Sequence, residues 1–317
     1  MKQEEINKML LDAVFDENVS LKDVKALISA GADVNYQNDW GQTCFDRACR
    51  KGNAEIAKLL LQDERFDVSK VFDECLHMAC FMGQDKLVKA MLEDGRFDVN
   101  KKNQNGQTPL MCACEKDRAD VVKLLLQDEK IDINKEDDWE RTCFDMACRK
   151  GNAEIAKLLL QDEWFDVSKV FDECLHKACF MGQDKLVKAM LEDGRFDVNK
   201  KNQNGQTPLM CACEKGRADV VKLLLQDERT KVDVMDNEGK MALEYSNDME
   251  IVGLFRKAAV KKGVEENKDK YISNKEKIKD LKARISGEPK MKKSDEHKRN
   301  QEVSFVVSMK SNNVNDK

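Results

Sequence analysis

Residues 40–129 recur almost letter for letter at 139–228, at an offset of 99. Only six of those 90 positions differ: Gly41/Glu140, Gln42/Arg141, Arg47/Met146, Arg65/Trp164, Met78/Lys177 and Asp117/Gly216. A finer period lies inside the block. Aligned starts fall at Thr43, Glu74, Thr108, Thr142, Glu173, Thr207 and Met241, spaced by 31, 34, 34, 31, 34 and 34 residues. A period in this range predicts a stack of supersecondary units, each too small to bury its apolar face alone.

Each unit reads as two short helices and a loop. In the second unit, Ala48 and Cys49 close a first helix and Gly52 stops it, because the residue after a helix end favours a left-handed backbone. The run AEIAKLLL then gives a second helix, with Ile56, Leu59 and Leu60 expected on the buried face. Where the text reads NGQTPL, Thr108 is placed to cap and Pro109 to occupy the first helical turn. Three prolines and 6% aromatic residues agree with an all-α fold.

These residues resemble the ankyrin repeat, whose pattern runs G-x-T-P-L-H-x-A-A-x-x-G, then V-x-x-L-L and G-A-D-V-N. The stretches GQTPLMCACEKGRADVVKLLL and ISAGADVN carry the likeness, which covers roughly residues 5–258. The resemblance implies a solenoid of about eight helix-turn-helix repeats with hairpin-like fingers, over 1–260. Within it we expect an N-terminal cap over 1–38, the duplicated blocks 40–129 and 139–228, and a C-terminal cap over 239–260. Glu4, Glu5 and Lys8 suit the solvated outer face of the first cap. The departures are specific. Asp46, Met111, Asp145 and Met210 occupy the pattern's His position, Glu74 and Glu173 its Thr, and the loop from Phe66 to Glu74 is shorter than that from Phe97 to Thr108.

Charge is unevenly spread. Residues 261–317 hold 16 Lys+Arg and 10 Asp+Glu; the chain totals of 55 and 60 leave 39 and 50 for residues 1–260. An acidic body with a net charge of −11 is a poor partner for nucleic acid, whose phosphates need a basic surface. The start, MKQEEINKML, lacks a signal-peptide pattern, and no run of ~18 apolar residues suggests a membrane span. We therefore expect a cytoplasmic location, with the nucleus as an alternative, and a monomer.

All twelve cysteines lie in the duplicated repeats, two per repeat. Cys112 and Cys114 sit two apart on a helix and face nearly opposite ways, so a single metal ion is not their expected ligand. Repeats stacked ~10 Å apart are too distant for a disulfide, which needs Cα atoms within ~7 Å. Core packing in a reducing compartment is the expectation for all twelve. The family resemblance implies that His77 and His176 bond neighbouring loop backbone. No P-loop, G-x-S-x-G, HExxH or paired CxxC occurs. We expect no enzyme, no catalytic residue, no cofactor, no metal and no small-molecule substrate.

Helix periodicity points to an open face instead. Residues two after each first-helix Leu or Phe, and three and four further on, turn away from the core. The resemblance implies that this face lines a concave groove beside the fingers. In block one it comprises Arg47, Arg50 and Lys51, then Met78, Phe81 and Met82, then Cys112, Glu115 and Lys116. Block two gives Met146, Arg149 and Lys150, then Lys177, Phe180 and Met181, then Cys211, Glu214 and Lys215, and the fingers add Trp40, Trp139 and Arg141. Exposed Trp, Phe, Met and Arg are types enriched at interface centres. The expected function is that of an adaptor or scaffold holding a protein or peptide with acidic and apolar residues. The alternative is a regulatory inhibitor or effector whose array masks a target while its basic tail docks the complex.

The tail, 261–317, reads as polar and largely disordered. It contains a possible amphipathic helix over 265–286, a basic patch (MKKSDEHKR), His297 and a short apolar island, SFVVSM.

Overall fold

The computed structural model describes residues 2–16, 20–170 and 173–261. The tail features named above, from the helix over 265–286 to SFVVSM, lie outside the described residues. The chain forms two compact units, Met1–Ala242 and Leu243–Lys317.

The first unit is built from seven helix pairs. They are α1 (Gln3–Phe15) with α2 (Leu21–Ser29), α3 (Cys44–Lys51) with α4 (Ala54–Leu61), and α5 (Cys75–Met82) with α6 (Asp85–Asp94). Then come α7 (Pro109–Glu115) with α8 (Ala119–Leu125), α9 (Cys143–Lys150) with α10 (Ala153–Leu160), α11 (Cys174–Met181) with α12 (Asp184–Asp193), and α13 (Pro208–Glu214) with α14 (Ala218–Gln226). First helices stack on first helices, α1 on α3 and onward to α13, while second helices stack on second helices. A 3-10 turn at Ala242–Tyr245 begins on the last residue of the first unit, and the described part of the second unit holds one further helix, α15 (Met249–Lys261).

Helix boundaries follow local chemistry. Thr43, Thr108, Thr142 and Thr207 each accept the N–H of the residue three ahead, and Pro109 and Pro208 open their helices. Glu74 and Glu173 make no such bond. Gly52 ends α3 with φ +70°, where an L side chain is disfavoured. Asp117 takes nearly the same backbone, φ +60°, as Gly216 at φ +63°.

The core confirms the face assignment except at one position. Ile56, Ala57, Leu60 and Leu61 are buried, whereas Leu59 is only half-buried. Phe45 replaces the pattern's Leu for a packing reason: its ring lies 5.1 Å from Phe66 and 5.6 Å from Phe97. Phe144 repeats the cluster with Phe165 and Phe196.

Polar staples run between repeats. Asn35, Asn100, Asn134 and Asn199 each donate to a carbonyl 30 residues ahead, through Nδ2 bonds of 2.6–2.8 Å to Arg65, Lys130, Trp164 and Arg229. Arg96 grips Asp94 and donates back to the carbonyls of Phe66 and Leu61 at 2.8 and 2.9 Å. Arg195 and Arg229 do the same to their preceding repeats.

Loop length explains the Asp substitutions at the His position, whereas nothing in the structure explains Met111 and Met210, which also precede long fingers. Long fingers close on an Asn or Asp whose carbonyl or carboxylate oxygen accepts two backbone N–H groups, as Asn103 does from Asn105 and Gln107. Ahead of such a finger, His77 Nε2 bonds the carbonyls of Lys101 and Gln107 at 2.8 and 3.1 Å. His176 does likewise with Lys200 and Gln206. Ahead of the short loops, which fold as 3-10 turns at Val68–Lys70 and Val167–Lys169, an acceptor is needed instead. Asp46 provides it: Oδ1 accepts from Phe72 N at 2.8 Å and Cys75 Sγ at 3.0 Å, while Oδ2 accepts from Thr43.

Candidate functional site

The first helices and the finger bases enclose a groove of about 820 Å³ across α9, α11 and α13. Trp139 and Arg141 come from one finger, Arg149 from α9, Lys177, Phe180 and Met181 from α11, and Asn202, Asn204 and Gln206 from the next finger. Cys148, Cys174 and Cys211 also line it. The geometry thus brings together eight residues expected in block two, Cys211 and Glu214 among them, while Lys150 is exposed outside the lining.

The apolar wall is open to solvent. Phe180 is 38% exposed and Met181 53%, and Trp139 is 57% exposed at the fingertip. The Lys215 ammonium sits 4.5 Å from the centre of the Phe180 ring, a cation–π contact. In block one Phe81 is 40% exposed with Lys116 at 4.4 Å, and Trp40 and Met82 are exposed as well. Met78 is half-buried, and Arg50 and Lys51 are exposed, the latter with its ammonium 4.5 Å from the Phe15 ring.

Four residues of the expected face are covered. Cys112 and Cys211 are buried beneath the finger asparagines, with Asn103 Nδ2 3.9 Å from Cys112 Sγ. Met146 is 1% exposed. Arg47, its counterpart in block one, is drawn back onto the N-terminal cap: its guanidinium donates to the Leu11 carbonyl at 2.9 Å, pairs with Asp12 at 3.3 Å and lies over the Phe15 ring. The Arg47/Met146 difference therefore reflects what precedes each block. Block one stacks on α1, whose Leu11 carbonyl and Asp12 carboxylate take the guanidinium; block two stacks on α7.

The cations differ in how far they are already satisfied. Arg141 donates to Asp137 at 2.6 and 2.9 Å, and its guanidinium lies 4.6 Å from the Trp139 ring centre. Burial alone would raise the Asp137 carboxyl, but bonds from Arg141 and from the Arg141 and Trp139 amides outweigh it and hold it below its ordinary value. Arg149 pairs with Glu115 of the preceding repeat at 3.2 Å. Lys177 makes no ion pair among the described residues.

All twelve thiols are free and buried. Burial, then the carboxylates Glu214 and Glu173, pushes the Cys211 thiol up to about 12; burial, then Glu115 and Glu74, does the same to Cys112. The Cys174 thiol is raised by its contact with the Cys148 thiol and by burial. Burial also lowers the His77 imidazole against the two carbonyls it bonds, so the ring is neutral at pH 7. Among the described residues no group of three or more His, Cys, Asp or Glu could hold a metal ion, and no helix is long and apolar enough to cross a membrane.

The finger residues Asn202, Asn204 and Gln206 were not expected in the site. They enter because each groove segment is roofed by the finger of the following repeat, a relation that face periodicity within one helix does not carry. The repeated string NQNGQ was the available signal.

Comparison with known proteins gives the fold a family. A family model described as ankyrin repeats (3 copies) matches residues 10–103, 76–171 and 175–264. The crystal structure of EF0377, an ankyrin repeat protein, is similar to this chain with a TM-score of 0.53 and 28% identity, over 58% of this chain and 96% of that one. No curated protein matches.

Proposed function

The chain belongs to the ankyrin-repeat family, whose arrays bind protein partners, and we propose that it is a non-enzymatic adaptor that holds a protein or peptide segment along its concave face. The observation that carries this reading is the groove across α9, α11 and α13, with Phe180 and Met181 half-exposed beside the fingertip Trp139. Side chains of this size left in water are what a partner desolvates at the centre of an interface. The cations Arg50, Lys51, Lys150 and Lys177 around these apolar patches suit a segment that combines acidic and apolar residues. A binding role also fits the chemistry of the groove. Its Cys174 and Cys211 thiols are raised by burial and stay protonated at neutral pH, and the His176 imidazole is engaged by two carbonyls. The free thiols support a reducing, cytoplasmic setting. Residues 239–260 are read as the closing repeat of the array.

Affinity capture from the native host, with partners quantified against a Phe81→Ala/Phe180→Ala variant, tests this. The expected result is a partner retained by the wild-type chain and lost from the variant at equal helical content. Equal capture by both would overturn the groove reading.

A further inference from the structure

The duplication supplies an internal comparison. Of the sixteen residues lining the groove in block two, fourteen are identical 99 positions earlier, including Trp40, Phe81 and Met82 for Trp139, Phe180 and Met181. The two that differ are Arg141, which replaces Gln42, and Lys177, which replaces Met78.

The first difference is electrically silent. Arg141 is matched by the buried carboxylate of Asp137, where block one has the neutral pair Asn38 and Gln42 joined at 3.3 Å. Glu140, which replaces Gly41 at the fingertip, is exposed outside the lining. Glu173 and Glu214 have the same counterparts in both blocks, Glu74 and Glu115.

The second difference coincides with another that identity conceals. Arg149 and Arg50 are the same residue at the same place, but Arg149 follows α7 and pairs with Glu115 at 3.2 Å. Arg50 follows the cap helix α1, is exposed, and makes no ion pair among the described residues. Arg50, on the helix before Phe81, and Lys177, on the same helix as Phe180, are therefore the cations beside the aromatic walls that have no free equivalent in the other block: Arg149 is paired and Met78 is neutral, while Lys116 and Lys215 both lie over the rings themselves.

We propose that the blocks hold two copies of one pocket for an aromatic peptide residue with a neighbouring carboxylate, and that the cation which reads the carboxylate has moved from Arg50 in block one to Lys177 in block two. The aromatic seats against Phe180 and Met181, or Phe81 and Met82, through ring and thioether contacts. The carboxylate lies one repeat away from the aromatic in block one and level with it in block two. The copies thus favour the same two chemical groups in different relative placement, and a partner with two such motifs fits the array in one register.

The inference rests on the groove reading, and its test separates the two. The full chain is labelled at its methionine methyls, so that Met82 and Met181 report on each pocket by NMR. It is titrated with N-acetyl-Phe-Glu-amide and with N-acetyl-Phe-Gln-amide. Both methyls are expected to respond to both probes, with the Glu probe about threefold to fivefold tighter, as for an exposed ion pair, and the margin closing in high salt. Arg50→Gln removes that margin at Met82, and Lys177→Met removes it at Met181. The charge-balanced double variant Arg149→Gln/Glu115→Gln leaves it intact at Met181. If Arg149 and Glu115 carried the margin at Met181, or Lys177 did not, the transposition would be overturned while the groove reading stood. If neither methyl responded to either probe, both would fail.

Discussion

Asp117 and Gly216 allow the backbone strain of one position to be measured in two settings of the same chain. Both lie just beyond a first helix, with φ +60° and +63°, and both are followed by an arginine whose N–H bonds the Ala113 or Ala212 carbonyl at 3.0 or 2.9 Å. A Cβ built on Gly216 meets nothing within 4 Å, so the steric environment adds no penalty and only the conformation counts. A left-handed residue costs ~1–2 kcal/mol, with Asp at the lower end, and glycine gives back ~0.5 kcal/mol through the freedom of the unfolded chain. Asp117→Gly should therefore stabilise by ~0.5 kcal/mol, and Gly216→Asp should destabilise by about as much. In a domain of this size that is a shift of ~1–2 °C in Tm. Because a stacked array is nearly one-dimensional, the effect should concentrate in the altered repeat. Amide hydrogen exchange resolved along α7 and α8 for the first variant, and α13 and α14 for the second, reads it more sharply than a global melt. Faster exchange along α7 in Asp117→Gly would refute the strain argument and show that the Asp side chain supports the turn.

Other substitutions probe the remaining elements. Gly106→Ala would place a Cβ 2.6 Å from the Asp138 backbone nitrogen at φ +70°, so it should cost ~2–4 kcal/mol by urea unfolding, against ~1 kcal/mol for Gly216→Ala, which has strain but no clash. Trp164→Arg should restore the grip that Arg65 makes on Asp63 and the Ala32 carbonyl, stabilising by ~0.5–1 kcal/mol in the same assay. Thiols such as Cys112 and Cys211 remain protonated to about 12 in the folded chain but ionise near ~8.5 when unfolded, so their contribution is complete below pH ~8.5 and is lost as pH rises towards 12. The urea midpoint should accordingly fall between pH 8 and pH 10.5, and a thiol reagent at pH 7.5 should modify the cysteines only as the chain unfolds.

The repeat frame and its helix ends were legible because they rest on local chemistry: Thr43 and Thr108 cap, Pro109 opens a helix and Gly52 ends one. His77 and Asp46 were visible as alternatives at one position. Their reason lies in the next loop, which offers carbonyls when long and N–H groups when short. Periodicity placed Phe81, Phe180, Met82 and Met181 on the open side correctly, where each remains exposed. It failed for Arg47, Met146, Cys112 and Cys211 because accessibility there is decided by a neighbouring repeat. The last turn of α1 draws in Arg47, while Asn103 and Asn202 roof the two thiols at 3.9 and 4.0 Å. Identical letters 99 residues apart can thus have different partners, as Arg50 and Arg149 do.

The central claim is that a protein partner is held on this concave face by its exposed rings. The direct measurement is the affinity of the captured partner for the wild-type chain, Phe81→Ala, Phe180→Ala and the double variant, by calorimetric titration, with helical content checked by circular dichroism. Both rings are about two-fifths exposed, each with a lysine ammonium over it, so their truncation should leave the fold intact. Each loss should cost ~1–2 kcal/mol of binding, and the double variant should bind ~30-fold to 1,000-fold more weakly. A double variant that is fully folded and binds within twofold of wild type would contradict the account and move the site off this face.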